Sequence, residues 1–162
     1  MGGEVRVGTS FTYVQEYTTE DFLVEGISIQ PAFDAVGQLN YQTSAYPIPQ
    51  WKGSAYVEYE TGPHNIRWTV NYIDAYEDQR ASIRAPNVNN GGEPILTGLE
   101  IDRMITHDLD YRFLAPWDTT LVLSVDNVLD EEPPFARLDL NYDPFTHNGL
   151  GRTIKVAVTK RF

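Results

Sequence analysis

The residues with the chemistry to bind or react are three histidines, one acidic stretch and a handful of strand-borne charges. His64, His107 and His147 lie far apart, without the paired spacing that zinc sites use. The chain has no cysteine, so it offers no thiolate ligand or nucleophile. Asp126, Asp130, Glu131, Glu132, Asp139 and Asp143 supply the carboxylates that Ca²⁺ prefers, but they lack EF-hand spacing and read as a solvated loop. No nucleophile elbow, P-loop or dinucleotide glycine pattern is present, and Gly91-Gly92 reads as a turn. Arg67, Asp108, Asp110 and Arg112 read as charges pairing with one another on a strand face. The expectation is a chain that is not an enzyme, with no catalytic residue, bound metal or cofactor.

The elements that must position these residues are strands. Alternation of apolar and polar side chains, period two, dominates the sequence. Val5, Val7, Thr9, Phe11 and Tyr13 alternate with Arg6, Gly8, Ser10 and Thr12. Ile66, Trp68, Val70 and Tyr72 alternate with Asn65, Arg67, Thr69 and Asn71. The pattern predicts strands near 4–17, 51–61, 64–77, 100–114, 119–128 and 152–162, in one segment covering 1–162. Gly62-Pro63 and Ala115-Pro116-Trp117-Asp118 are tight turns. The segments 18–50, 77–97 and 130–151 are long, rich in Pro, Gly, Asn or Asp, and little patterned. Within the first of them, the apolar run Phe22 to Ile29 could add a hairpin arm. Long and short connections therefore alternate strictly. Outer-membrane barrels show that asymmetry, with short turns at the periplasmic end and long loops outside.

Composition restricts the function classes. The net charge of -11 leaves no clustered Lys and Arg for phosphate, so nucleic acid is excluded as a partner. No run reaches the length a membrane helix needs, and the mean hydropathy is -0.37. A β-barrel escapes that test, because lipid-facing and lumen-facing residues average out along each strand. Ten Tyr, seven Phe and three Trp suit half-buried strands. Trp51, Tyr59, Trp68, Tyr72, Tyr111, Phe113 and Phe162 lie toward strand ends, as aromatics at a headgroup interface would. The first residues, Met1 to Gly8, lack the basic and apolar regions of an export signal, so an outer-membrane reading implies a fragment, an engineered piece or a mature chain with an added Met.

From about Pro47 to Phe162 the chain resembles the C-terminal part of TonB-dependent receptors of the bacterial outer membrane. Asp126-Asn127-Val128-Leu129-Asp130 is similar to the ending of that family's penultimate strand. Thr106-His107-Asp108-Leu109-Asp110-Tyr111 is similar to the strand before it. Asn141 to Asn148, followed by Leu150-Gly151-Arg152-Thr153, resembles the last loop, with Gly149 where many members carry Pro. Lys160-Arg161-Phe162 matches the aromatic terminus, and the hairpin from Pro49 to Tyr76 resembles the one that leads to it. The resemblance implies an all-β, antiparallel meander of about six strands, the C-terminal segment of a 22-stranded transmembrane β-barrel, without the plug domain that fills its lumen.

It further implies localisation in the outer membrane and active uptake of a siderophore, cobalamin, saccharide or peptide. The implied partners are outer-membrane lipid, the remainder of the receptor barrel and its plug, and TonB through an N-terminal part outside this sequence. The barrel-assembly machinery would read Lys155, Ala157 and Phe162, although Ala157 replaces the usual Gly and Lys160 an apolar residue. Six strands alone leave two open edges and do not enclose a lumen. The rival from another class is a small stand-alone β-barrel that binds an apolar ligand. An outer-membrane hydrolase would need a catalytic constellation that the sequence does not offer.

Overall fold

The computed structural model describes residues 2–41, 43, 45–80 and 99–161. Two expectations fall outside them, the polar loop tip within 81–98 and the terminal Phe162. Every regular element described is a strand, and none is helical. Six strands form one antiparallel meander: β1 (Glu4–Tyr13), β2 (Trp51–Thr61), β3 (His64–Ile73), β4 (Met104–Ala115), β5 (Thr119–Asp126) and β6 (Thr153–Lys160). They pair strictly in chain order, so β1 and β6 are the edges and the sheet is not closed.

The two short connections are built by local backbone chemistry. Thr61 faces His64 across Gly62-Pro63, a two-residue turn. Gly62 has φ 55°, and Pro63 fixes its own φ, the order that a type II′ hairpin requires. The β4–β5 turn instead holds Trp117 at φ 61° and Asp118 at φ 53°, left-handed values that Asp tolerates and Trp rarely adopts. Gly53 answers a different need. A Cβ there would meet Phe11 and the Ser10 carbonyl, so only Gly lets β1 and β2 approach at that point.

Two expected strands are interrupted rather than shortened. Ile73 faces Met104 and Tyr76 faces Ile101, so the β3–β4 ladder keeps one register across a break at Asp74, Ala75, Asp102 and Arg103. β1 stops at Tyr13, short of the expected Tyr17, and the chain then turns into its first long connection. That connection carries the hairpin arm anticipated from the apolar run, Phe22–Val24 against Ile27–Gln30.

All three long connections leave from one end of the sheet, and both tight turns lie at the other. Among the described residues, the buried apolar cluster is at the long-connection end. Leu39, Tyr76, Ile101 and Ala136 form it, with Leu138 packed against them. Each of the three connections therefore contributes at least one residue to the cluster. The sheet faces have almost no apolar core of their own.

Candidate functional site

Register assigns every strand residue to one of two faces. One face carries Val5, Val7, Phe11 and Tyr13 from β1, continued by Trp51, Val57 and Tyr59 from β2. It runs on through Ile66, Trp68 and Tyr72, then Ile105, Leu109, Tyr111 and Phe113, then Leu121, Leu123 and Val125, to Ile154, Val156 and Val158. Most of these large apolar side chains are open: Val7 is 72% exposed, Trp68 50% and Val156 73%. A soluble sheet buries its apolar face. This one shows it.

The opposite face is polar and cross-linked by its own pairings. One row crosses all six strands as Arg6, Glu58, Arg67, Asp110, Ser124 and Lys155. Glu58, 8% exposed, accepts from Arg67 Nε at 2.9 Å and Nη2 at 2.5 Å, and from Asn65 at 2.8 Å. Arg6 approaches the same carboxylate at 3.4 Å. Glu60 holds Arg6 at 3.6 Å and Arg112 at 3.4 Å. Ser124 donates to Asp110 at 2.5 Å, Asn71 to Asp108 at 2.6 Å, and Lys155 pairs with Asp126. The Arg67 guanidinium also lies over the Tyr56 ring at 4.2 Å. Arg67, Asp108, Asp110 and Arg112 thus bond to other polar residues of this face, and their charges are used to order it.

Among the described residues, the aromatics singled out by sequence share the apolar face but not one height. Tyr59, Tyr111 and Phe113 sit at the tight-turn end, where His64 bonds the Tyr111 hydroxyl at 2.7 Å and stacks on Phe113 at 5.0 Å. Trp51 and Tyr72 sit at the long-connection end, Trp51 against Tyr13 at 4.6 Å. Trp68 corrects the reading that all of them lie toward strand ends. Opposite Val57 and Leu109, it is mid-strand and stacks on His107 at 5.6 Å. Lys155 and Ala157 lie on the polar face of β6, opposite Ser124 and Val122. Phe11, Tyr13 and His64 complete the two aromatic rows, which only register could reveal.

A third cluster, at the long-connection end, has no local sequence signal. Asp78 is fully buried and binds Arg80 at 2.5 Å and Arg137 at 2.9 Å. Burial pushes its carboxyl up, but the hydrogen bonds from the two guanidiniums outweigh this and hold it below the usual range. The same bonds raise Arg80 above its ordinary value. Tyr76 donates to the buried Asp143 at 2.7 Å, and burial with that carboxylate drives the phenol far up. His147 stacks on Tyr76 at 6.0 Å, 4% exposed, and neither ring nitrogen finds a hydrogen-bond partner. Burial holds it below the ordinary histidine value.

Between this cluster and the polar face lies a cavity of about 390 Å³. Its wall is Asn71, Ile73, Met104, Thr106, Asp108 and Asp126, all on the polar side of β3, β4 and β5. Its roof is Asn127, Thr146, Asn148 and Gly151 of the last connection. Among the described residues, no three His, Asp or Glu side chains converge as a metal site, and no helix is long and apolar enough to cross a membrane. Compared with protein-family models, with curated proteins and with solved structures, the chain finds no match in any.

Proposed function

We propose that this chain is the C-terminal barrel portion of a TonB-dependent receptor, sited in the bacterial outer membrane and serving active uptake of a nutrient. The observation that carries the reading is the inversion of the sheet. Among the described residues, its apolar face is exposed with nothing packed on it, whereas its polar face is tied from strand to strand by ion pairs and hydrogen bonds, the arrangement expected when lipid lies outside and a wet lumen within. The aromatic rows support it. From Tyr13 to Phe113 there are five row steps of two residues, about 33 Å along the strands and about 25 Å once tilted, the height of an apolar belt. The long connections at one end fit an extracellular side.

On this reading, lipid covers the apolar face, and the rest of the barrel pairs with the free edges of β1 and β6. A plug would meet the polar face, and the assembly machinery would read Lys155, Ala157 and Phe162. TonB would act through an N-terminal part. Siderophore, cobalamin, saccharide and peptide are the candidate nutrients. The rival, a stand-alone barrel with an apolar ligand inside, would require the Val7, Val57 and Val156 face to turn inward and dry.

Fractionation tests the proposal. The chain expressed with an export signal should follow the outer-membrane fraction and leave it only with detergent. Recovery as a detergent-free monomer would sink the reading.

A further inference from the structure

The chain's charge is divided by end of the molecule. The described residues of the three long connections, within 14–50, 74–80, 99–103 and 127–152, hold fifteen acidic and four basic residues, a net of -11 that equals the charge of the whole chain. The strands, tight turn and termini hold seven of each and balance. A rim with one sign of charge over a cleft concentrates counter-ions and repels like-charged solutes.

The cavity under that rim has matching chemistry. Asp108 lines it and forms no ion pair among the described residues; its oxygens accept only from Asn71 and from the Asn127 backbone. Asp126 lines it as well but is already paired with Lys155, so Asp108 is the carboxylate left to meet a cation. Asn71, Asn127 and Asn148 add amides, Thr106 and Thr146 hydroxyls, and Ile73 and Met104 an apolar patch. None of the lining residues is basic. The volume is in the range of small-molecule sites, which combine a few placed polar groups with apolar wall.

We infer that this cavity takes a cationic, hydroxyl-bearing solute of the amino-sugar class and rejects polyanions. The inference rests on the uptake reading for one point, that ligands enter from the long-connection end. Within the four nutrient classes, it favours a cationic saccharide over an anionic iron chelate. Asp108 would face the ammonium group, the amides and hydroxyls would exchange hydrogen bonds with the sugar, and Met104 would pack against a ring face. The acidic connections would speed encounter, so association should slow as salt screens them.

Three tetrasaccharides of matched size test it by titration calorimetry on the full chain in detergent: a glucosamine oligomer, its N-acetylated form and a galacturonate oligomer. The expected order is cationic tightest, neutral weaker and anionic undetectable. Asp108→Asn should weaken the cationic ligand about tenfold and leave the neutral one nearly unchanged. Asp126→Asn gives a second reading should Asp108→Asn fail to fold. Binding of galacturonate as tight as glucosamine, or no binding of any oligomer, would overturn the inference. A chain that needs detergent yet fails this series contradicts the ligand class alone. A chain that needs no detergent contradicts the membrane reading, whichever oligomer it binds.

Discussion

Removing the Asp78 carboxylate takes away the group that Arg80 and Arg137 share. Arg137 is only 7% exposed at its side chain and Asp78 not at all, so water cannot take over the role cheaply. Breaking a buried pair of this kind costs about 3 kcal/mol. Asp78→Ala should therefore loosen the joint between the second and third connections while β1 to β6 persist. Hydrogen exchange would show it as faster exchange at Leu138 and Asn141, whose amides bond Ala136 and Leu138 within the third connection. Equal exchange in both proteins would mean the triad is decorative. Nothing local in the sequence announced it. Asp78 and Arg137 meet only because the sheet brings two distant connections to one end.

At the scale of elements, the strands were legible and their environment was not. Period-two alternation located all six strands and both tight turns, because side-chain direction in a strand is set by backbone geometry. The same pattern left open which face is covered, since a polar row reads alike in water and in a lumen. Val57, exposed beside a Glu58 enclosed by Arg67 and Asn65, is the contrast on which the proposed lipid side rests. Trp68 is the fifth of the ten residues of β3, so its place within its own strand, not its aromatic type, sets its distance from either end. A lipid-facing sheet predicts an asymmetry of substitution. Val57→Lys should cost about 2–4 kcal/mol of stability in bilayers. Thr69→Lys, on the polar face near Asp108, should cost well under half as much. Urea unfolding from vesicles would measure both, and equal costs would argue against a lipid side.

The connections predict a pH response at the same scale. His147 is buried beside Tyr76, with the Asp143 carboxylate favouring its charged form and Lys52 opposing it. Its folded pKa lies below the ordinary 6.5, so the unfolded segment takes up the proton first as pH falls. The stability it contributes is complete above that value and declines below it. Asp78, held low, keeps its own contribution until more acidic pH, so the two are separable. Proteolysis of the last connection should accelerate as the pH falls below 6.5 in the natural chain. His147→Phe, which keeps the stacking, should flatten that profile, and an unchanged slope would assign it to other groups.

For the whole molecule, the proposed reading places lipid against Val7, Trp68 and Val156 and the lumen on the side of Glu58 and Asp110. Trp68 lies mid-strand on the apolar face, while Trp117, 81% exposed, projects from the tight turn between β4 and β5. The chain should therefore be refolded into vesicles whose acyl chains carry bromine either near the bilayer centre or near the headgroups. Variants retaining Trp68 alone or Trp117 alone would be compared by fluorescence quenching. The account predicts strongest quenching of Trp68 by the deep bromine and of Trp117 by the shallow one. Trp68 emission unmoved by bromine at either depth, in a chain that stays in solution, would contradict it.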